Sequence, residues 1–138
     1  MLAQAMGQLP ASGDTILDGL LQDACERFRD PAPAARRDAV EKLWDGWERL
    51  KTLDVLGNKS VSVEALLNGA AQPGSDFRTL LQIEAKTLTD IGNSFHIRHF
   101  ETNREPLSWP EDVDYLFHRL YALVHLLLSA RSRTSDGH

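Results

Sequence analysis

From Ser75 to Glu101 the chain reads SDFRTLLQIEAKTLTDIGNSFHIRHFE, and Phe77, Leu81, Glu84, Leu88, Ile91, Phe95 and Arg98 advance through it by alternate steps of four and three. That spacing sets all seven along one seam of a helix, so the segment must find something to bury that seam against. The same period recurs elsewhere. Ile16, Leu17, Leu20, Leu21, Ala24 and Phe28 form a stripe behind Asp14, an oxygen-bearing candidate cap, and the proline-rich DPAPAA ends that first helix near Asp30. A second stripe, Val40, Leu43, Trp47 and Leu50 with Trp44 beside it, predicts a helix from about Ala34 to Leu53. VEALLNGAA predicts a short third helix over 62–70 between the LGNKS and QPG turns, and the fourth starts at Ser75 or Asp76 and reaches Phe95 or just beyond.

A fifth helix starts at Pro110, a favoured first-turn residue, with Glu111 and Asp112 suited to the positive end of its dipole. It has two faces: Val113, Leu116, Phe117, Leu120, Val124 and Leu127 make a core stripe, and Tyr115, His118, Ala122, His125 and Ser129 make a mixed one. No strand-like alternation of useful length, internal repeat or low-complexity tract interrupts this pattern. The fold expected is an all-α, up-and-down bundle of four to five helices centred on an antiparallel pair, helix four against helix five, with His118 near the level of Asp90 and Ile91. Residues 1–13 read as a flexible arm, 14–130 as one domain and 131–138 as a flexible tail. The mixed stripe, with a small residue at its middle, predicts a homodimer through the helix of residues 110–130.

Composition narrows the function classes. A net charge of −5 disfavours broad affinity for a nucleic-acid backbone, although a local basic pocket remains compatible with it. The run LYALVHLLLSA is broken by His125 and falls short of the ~20 residues that span a bilayer, so no membrane partner is expected. One cysteine, Cys25, makes no internal bridge and suits a cytoplasmic protein as a small core residue. The tryptophans read as core anchors. There is no P-loop, no G-x-S-x-G and no dinucleotide fingerprint, so no cofactor is expected.

The polar chemistry is concentrated where the fourth helix ends. His96, Arg98, His99, Glu101 and Asn103 crowd together there, with Asp90 and Asn93 one or two turns earlier. His96 and His99 share a helix face, but they lack the His-Glu-x-x-His arrangement and clustered cysteines of zinc sites, so no metal is expected. Arg98 falls on the apolar seam, where a guanidinium needs either a ligand or a carboxylate such as Glu101, Asp90 or an acid on helix five. Glu84, on the same seam, is expected at its edge or paired with a base on helix two.

LTDIGNSFHIRHFE, followed by VDYLFHRL, resembles helical domains of bacterial abortive-infection proteins and, more distantly, the HEPN superfamily. The resemblance covers roughly residues 80–128. It implies a small α-helical bundle, commonly dimeric, and in many members a metal-independent ribonuclease. The site of such a ribonuclease is an arginine, often followed by a polar residue, with a histidine four to six residues further on. Arg98-His99 supplies the first half of that motif; Asn103, Arg104 and Glu105 stand where its histidine would fall. Arg119 and His125 have the spacing but lie in an apolar helix, with Leu120 where a polar residue is usual.

Two functions follow as expectations. One is an RNA-binding or ribonuclease domain of a defence or toxin system. There Arg98 would hold the scissile phosphate, a histidine among His96, His99, His118 and His125 would move the proton, and Asn103 or Glu101 would orient them. The other is a non-enzymatic helical protein-interaction module.

Overall fold

The computed structural model describes residues 9–94 and 110–136, and among these every regular element is a helix. Five are present: α1 (Thr15–Arg29), α2 (Pro33–Leu50), α3 (Lys59–Ala70), α4 (Asp76–Ser94) and α5 (Pro110–Asp136). The chain is an all-α bundle. None of the described helices is long and apolar enough to cross a membrane.

Three of the starts follow from side chains that satisfy the first free amides, whereas α2 begins at Pro33 without a side-chain cap. Asp14 accepts from the amides of Ile16 and Leu17 at 2.9 and 3.4 Å, Asn58 from Val61 at 3.1 Å, and Ser75 from Arg78 at 3.1 Å. The Asn58 cap starts α3 at Lys59, three residues before the expected Ser62, because the asparagine of LGNKS caps the helix as well as turning the chain. Helix α2 ends at Leu50 rather than Leu53, where the Thr52 hydroxyl takes up the Arg49 carbonyl at 2.7 Å. At the far end α5 continues to Asp136, so 131–136 are helical rather than a tail, and Arg131 pairs with Asp54 at 3.0 Å. Arg131 also donates to the Ser12 carbonyl at 2.9 Å, and Ser12 donates to Asp18, so the last part of the expected arm is fastened to the bundle.

The antiparallel pair at the centre is α1 with α2, not helix four with helix five. The three residues between α1 and α2 force a hairpin, and ion pairs close both ends: Arg49 forks onto Asp14 at 2.8 and 3.2 Å, and Arg27 reaches Asp38 at 3.4 Å. Gly46 makes room for the tip of the Leu21 side chain, from which a Cβ at that position would stand 2.8 Å. Helix α5 then packs on α2 and α3, running in the same direction as α2, since Arg36 pairs with Asp114 and Asp54 with Arg131. The core joins Leu17, Leu21 and Phe28 of α1 to Leu43, Trp44 and Trp47 of α2 and to Phe117, Leu120, Val124 and Leu127 of α5. The Phe28 and Phe117 rings stack with centroids 3.9 Å apart.

Helix α4 joins this core differently. Its most extensive packing against another helix is with α3. It reaches α2 through the two tryptophans: the Trp44 indole N–H donates to the Leu88 carbonyl at 2.9 Å, and that of Trp47 to the Thr89 hydroxyl at 3.1 Å. Gly92 is the notch that receives the Trp44 ring, for a Cβ at that position would lie 2.5 Å from the indole. The mid-helix glycine therefore admits a side chain, not a neighbouring backbone, and its helix-propensity cost is about 1 kcal/mol.

Candidate functional site

The expected site falls largely outside the described residues. His96, Arg98, His99, Glu101 and Asn103 all lie in 95–109, which the structure does not describe, as does Phe95 of the predicted seam. His118 is described. It is exposed on α5, and its ring stands edge-on to Phe28 with centroids 5.3 Å apart, so it faces α1 and not α4. The expected level with Asp90 and Ile91 is also displaced, because the neighbouring Arg119 meets Glu84, nearly two turns earlier on α4. The connection between α4 and α5 sets only their sense, and packing on α2 and α3 sets the height.

The Arg119–His125 pair does not assemble a phosphate site. Both oxygens of Glu84 accept from Arg119, at 2.9 and 2.6 Å, and these hydrogen bonds hold the guanidinium above its usual range. The fork is thus spent on a carboxylate. The His125 ring stacks on Tyr121, centroids 6.1 Å apart, and is half-buried. Glu84 is at the seam's edge as expected, but its base comes from α5 rather than helix two. Asp90 pairs with Lys86 at 3.1 Å on the exposed side of α4. No group of three or more His, Cys, Asp or Glu among the described residues is placed to hold a metal ion.

Cys25 lines a cleft of about 380 Å³ between residues 9–11 and α1, with Leu9, Leu21 and Arg29 among its walls. Only 3% of the residue is exposed, and burial pushes its thiol up to about 11. A thiol so seldom ionised is a poor nucleophile.

The seam of α4 is rotated from the one expected. The buried line is Arg78, Leu81, Ala85, Leu88 and Gly92. Phe77, expected inside, is 50% exposed, and Leu80 and Ile83 are 56% and 62% exposed. Arg78 takes the buried place because each nitrogen of its guanidinium donates, to Asn68 at 2.8 Å, Gln82 at 2.9 Å and Glu64 at 2.6 Å. A charged group so satisfied tolerates burial and ties α4 to α3. Three large apolar side chains at steps of three are left facing solvent along one side of α4.

On α5, Tyr115, His118 and Ala122 face outward and His125 and Ser129 are half-buried, so the mixed stripe does lie off the core. Comparison of the chain with family models, curated proteins and solved structures finds no match.

Proposed function

We propose that this chain is a non-enzymatic helical protein-interaction module that docks through α4. One observation carries the proposal: Phe77, Leu80 and Ile83 stand half or more exposed on consecutive turns of one helix face, where a monomer gains nothing from them. Two described arginines support it, since Arg78 and Arg119 are committed to structural partners. The decisive experiment incubates the pure protein with labelled RNA in chelator. An intact substrate and no retained RNA support the module; metal-independent cleavage overturns it.

The competing proposal, an RNA-binding or metal-independent ribonuclease domain, rests on the crowding of His96, Arg98, His99, Glu101 and Asn103 between α4 and α5. It requires Arg98→Ala to abolish cleavage or binding with little change in stability. A structural tie requires the same change to strand a buried carboxylate and cost about 3–5 kcal/mol, only partly restored by Arg98→Lys. Self-association through α5 is a separate proposal, supported by the outward stripe of Tyr115, His118 and Ala122. Sedimentation of the parent beside Ala122→Glu checks it: a dimer that the glutamate dissociates is expected, and a monomer at high concentration overturns it.

A further inference from the structure

Residues 9–13 fold back beside α1 instead of leading away from it. The reversal is made at Gly13, whose φ of 90° lies in the left-handed region that a residue with a side chain enters only at a cost. A Cβ there would meet nothing within 4 Å, so the backbone conformation and not a lack of space calls for the glycine. Before the turn, Leu9, Pro10 and Ala11 form one wall of the cleft of about 380 Å³ whose other wall includes Leu21 and Cys25. Leu9 is half-buried against the core. From Ser12, which meets Asp18, three residues of chain reach at most about 10 Å, the rise of a helix over the seven residues from Asp18 to Cys25. Leu9 is thus the residue that can come level with the thiol.

The hydrogen bonds that hold this segment down gather at one residue. Ser12 donates twice to Asp18 Oδ1, from its amide at 2.9 Å and from its hydroxyl at 2.7 Å, and Arg131 of α5 donates to the Ser12 carbonyl at 2.9 Å. The same guanidinium is held by Asp54, and the two side chains are 28% and 25% exposed, so water competes for the fastening. Beneath it Cys25, the chain's one cysteine, is almost wholly buried although it lines the cleft. A segment held by a few half-exposed hydrogen bonds opens at a much lower free energy than a core of interlocked helices.

We propose that residues 9–13 are a strap that closes the Cys25 cleft, turning on Gly13 and latched through Ser12 to Asp18 and Arg131, and that it lifts while the five helices stay folded. Shut, the strap keeps solutes from the thiol. Lifted, it opens the floor of the cleft, Leu21 and Cys25, to water. The device is independent of whatever α4 binds.

Because Cys25 is the one thiol, its alkylation by iodoacetamide, followed by intact mass at fixed pH, reports the strap directly. The parent is expected to label about a hundredfold or more slower than the urea-unfolded chain, at a rate that stays flat as urea is raised well below the unfolding midpoint. Arg131→Ala removes the latch on the carbonyl, and Gly13→Ala strains the closed turn; each is expected to speed labelling about fivefold. Arg119→Gln breaks another ion pair of the same helix and is expected to label as the parent does. Hydrogen exchange adds a second measurement: the Ser12 amide, which the latch protects, should exchange faster in Arg131→Ala while the amides of α1 keep the parent's protection. Parent labelling as fast as that of the unfolded chain means that nothing closes the cleft and overturns the proposal. A rate that climbs with urea as steeply as global unfolding also overturns it, since the thiol is then reached only through the unfolded state. So does a parental rate in both Arg131→Ala and Gly13→Ala, or an Arg119→Gln rate raised as much as that of Arg131→Ala.

Discussion

Two contacts in the bundle are built by opposite means. Where α1 meets α2, the helices pack along their length and Gly46 receives the flexible tip of an aliphatic side chain, Leu21. Where α4 meets α2, two indoles donate to α4 and one of them, a rigid ring, is seated against Gly92. The first contact spreads its energy over many small groups, so no single side chain decides it. The second concentrates it in a few long ones. A helix held at side-chain distance keeps more of its circumference free, and α4 is the described helix whose free side carries Phe77, Leu80 and Ile83.

The largest way to break that contrast is Trp44→Ala. Trp44 is fully buried, fills the space between α2 and α4, and donates to a helix carbonyl. Its truncation is expected to cost about 3–5 kcal/mol, read from urea unfolding. Protection of the α4 amides against hydrogen exchange should fall before that of α1. The glycines offer a finer cut. Gly92→Ala sets a methyl 2.5 Å from a ring anchored by its own hydrogen bond, so overpacking should cost about 1–3 kcal/mol. Gly46→Ala meets only the flexible tip of Leu21 at 2.8 Å, and the helix gain of about 1 kcal/mol from alanine should bring the change near zero. If the two substitutions cost the same, the two contacts do not differ as described.

A second tether of α4 is charged. Lys51, 4% exposed, donates to the Thr89 hydroxyl at 2.8 Å, pairs with Glu48 at 2.7 Å and lies over the Trp47 ring; Glu48 also takes Lys59 of α3. Burial pushes the Glu48 carboxyl up, but its bonds to Lys51 and Lys59 outweigh that and leave it below its ordinary range. A depressed folded value means that the ionised form stabilises the fold, fully so above the ordinary carboxylate range, and that this contribution is lost as the pH falls through the folded value. The parent's melting temperature should therefore drop on acidification below that range. Glu48→Gln should cost about 1–2 kcal/mol at neutral pH and flatten that limb of the profile.

Much of this architecture is legible in the residues. Stripes at steps of three and four mark four of the five helices, the turns around VEALLNGAA mark the third, and Asp14, Ser75 and Pro110 mark three of the starts. What a stripe cannot say is which other stripe it meets. The shared connection of helices four and five points to that pair as the centre, whereas the short hairpin after Arg29 decides for α1 and α2. On α4 three positions are read one step early, Phe77 for Arg78, Glu84 for Ala85 and Ile91 for Gly92. Hydropathy prefers the phenylalanine inside, but Glu64, Asn68 and Gln82 stand where they satisfy an arginine, and those partners are assembled only by the folded α3 and α4. Gly92 together with two tryptophans three apart was a usable signal for the indole notch. The polar cluster from His96 to Asn103 was visible as a cluster, and its arrangement lies outside the described residues.

The smallest expected effect belongs to the third tether, the Glu84–Arg119 pair that links α4 to α5. Its geometry is bidentate, yet the two side chains are 29% and 27% exposed, so water screens the charges and competes for the same hydrogen bonds. A pair in that position contributes about 1 kcal/mol or less. Glu84→Gln and Arg119→Gln should each lower stability by about that amount, and the double variant should cost less than the two singles summed, because the second change removes a partner already lost. Salt sharpens the comparison further: ionic strength should narrow the gap between parent and Glu84→Gln while leaving the cost of Trp44→Ala unchanged. A loss from Glu84→Gln as large as that from Trp44→Ala would mean that α4 is seated on α5 and not on the indoles of α2.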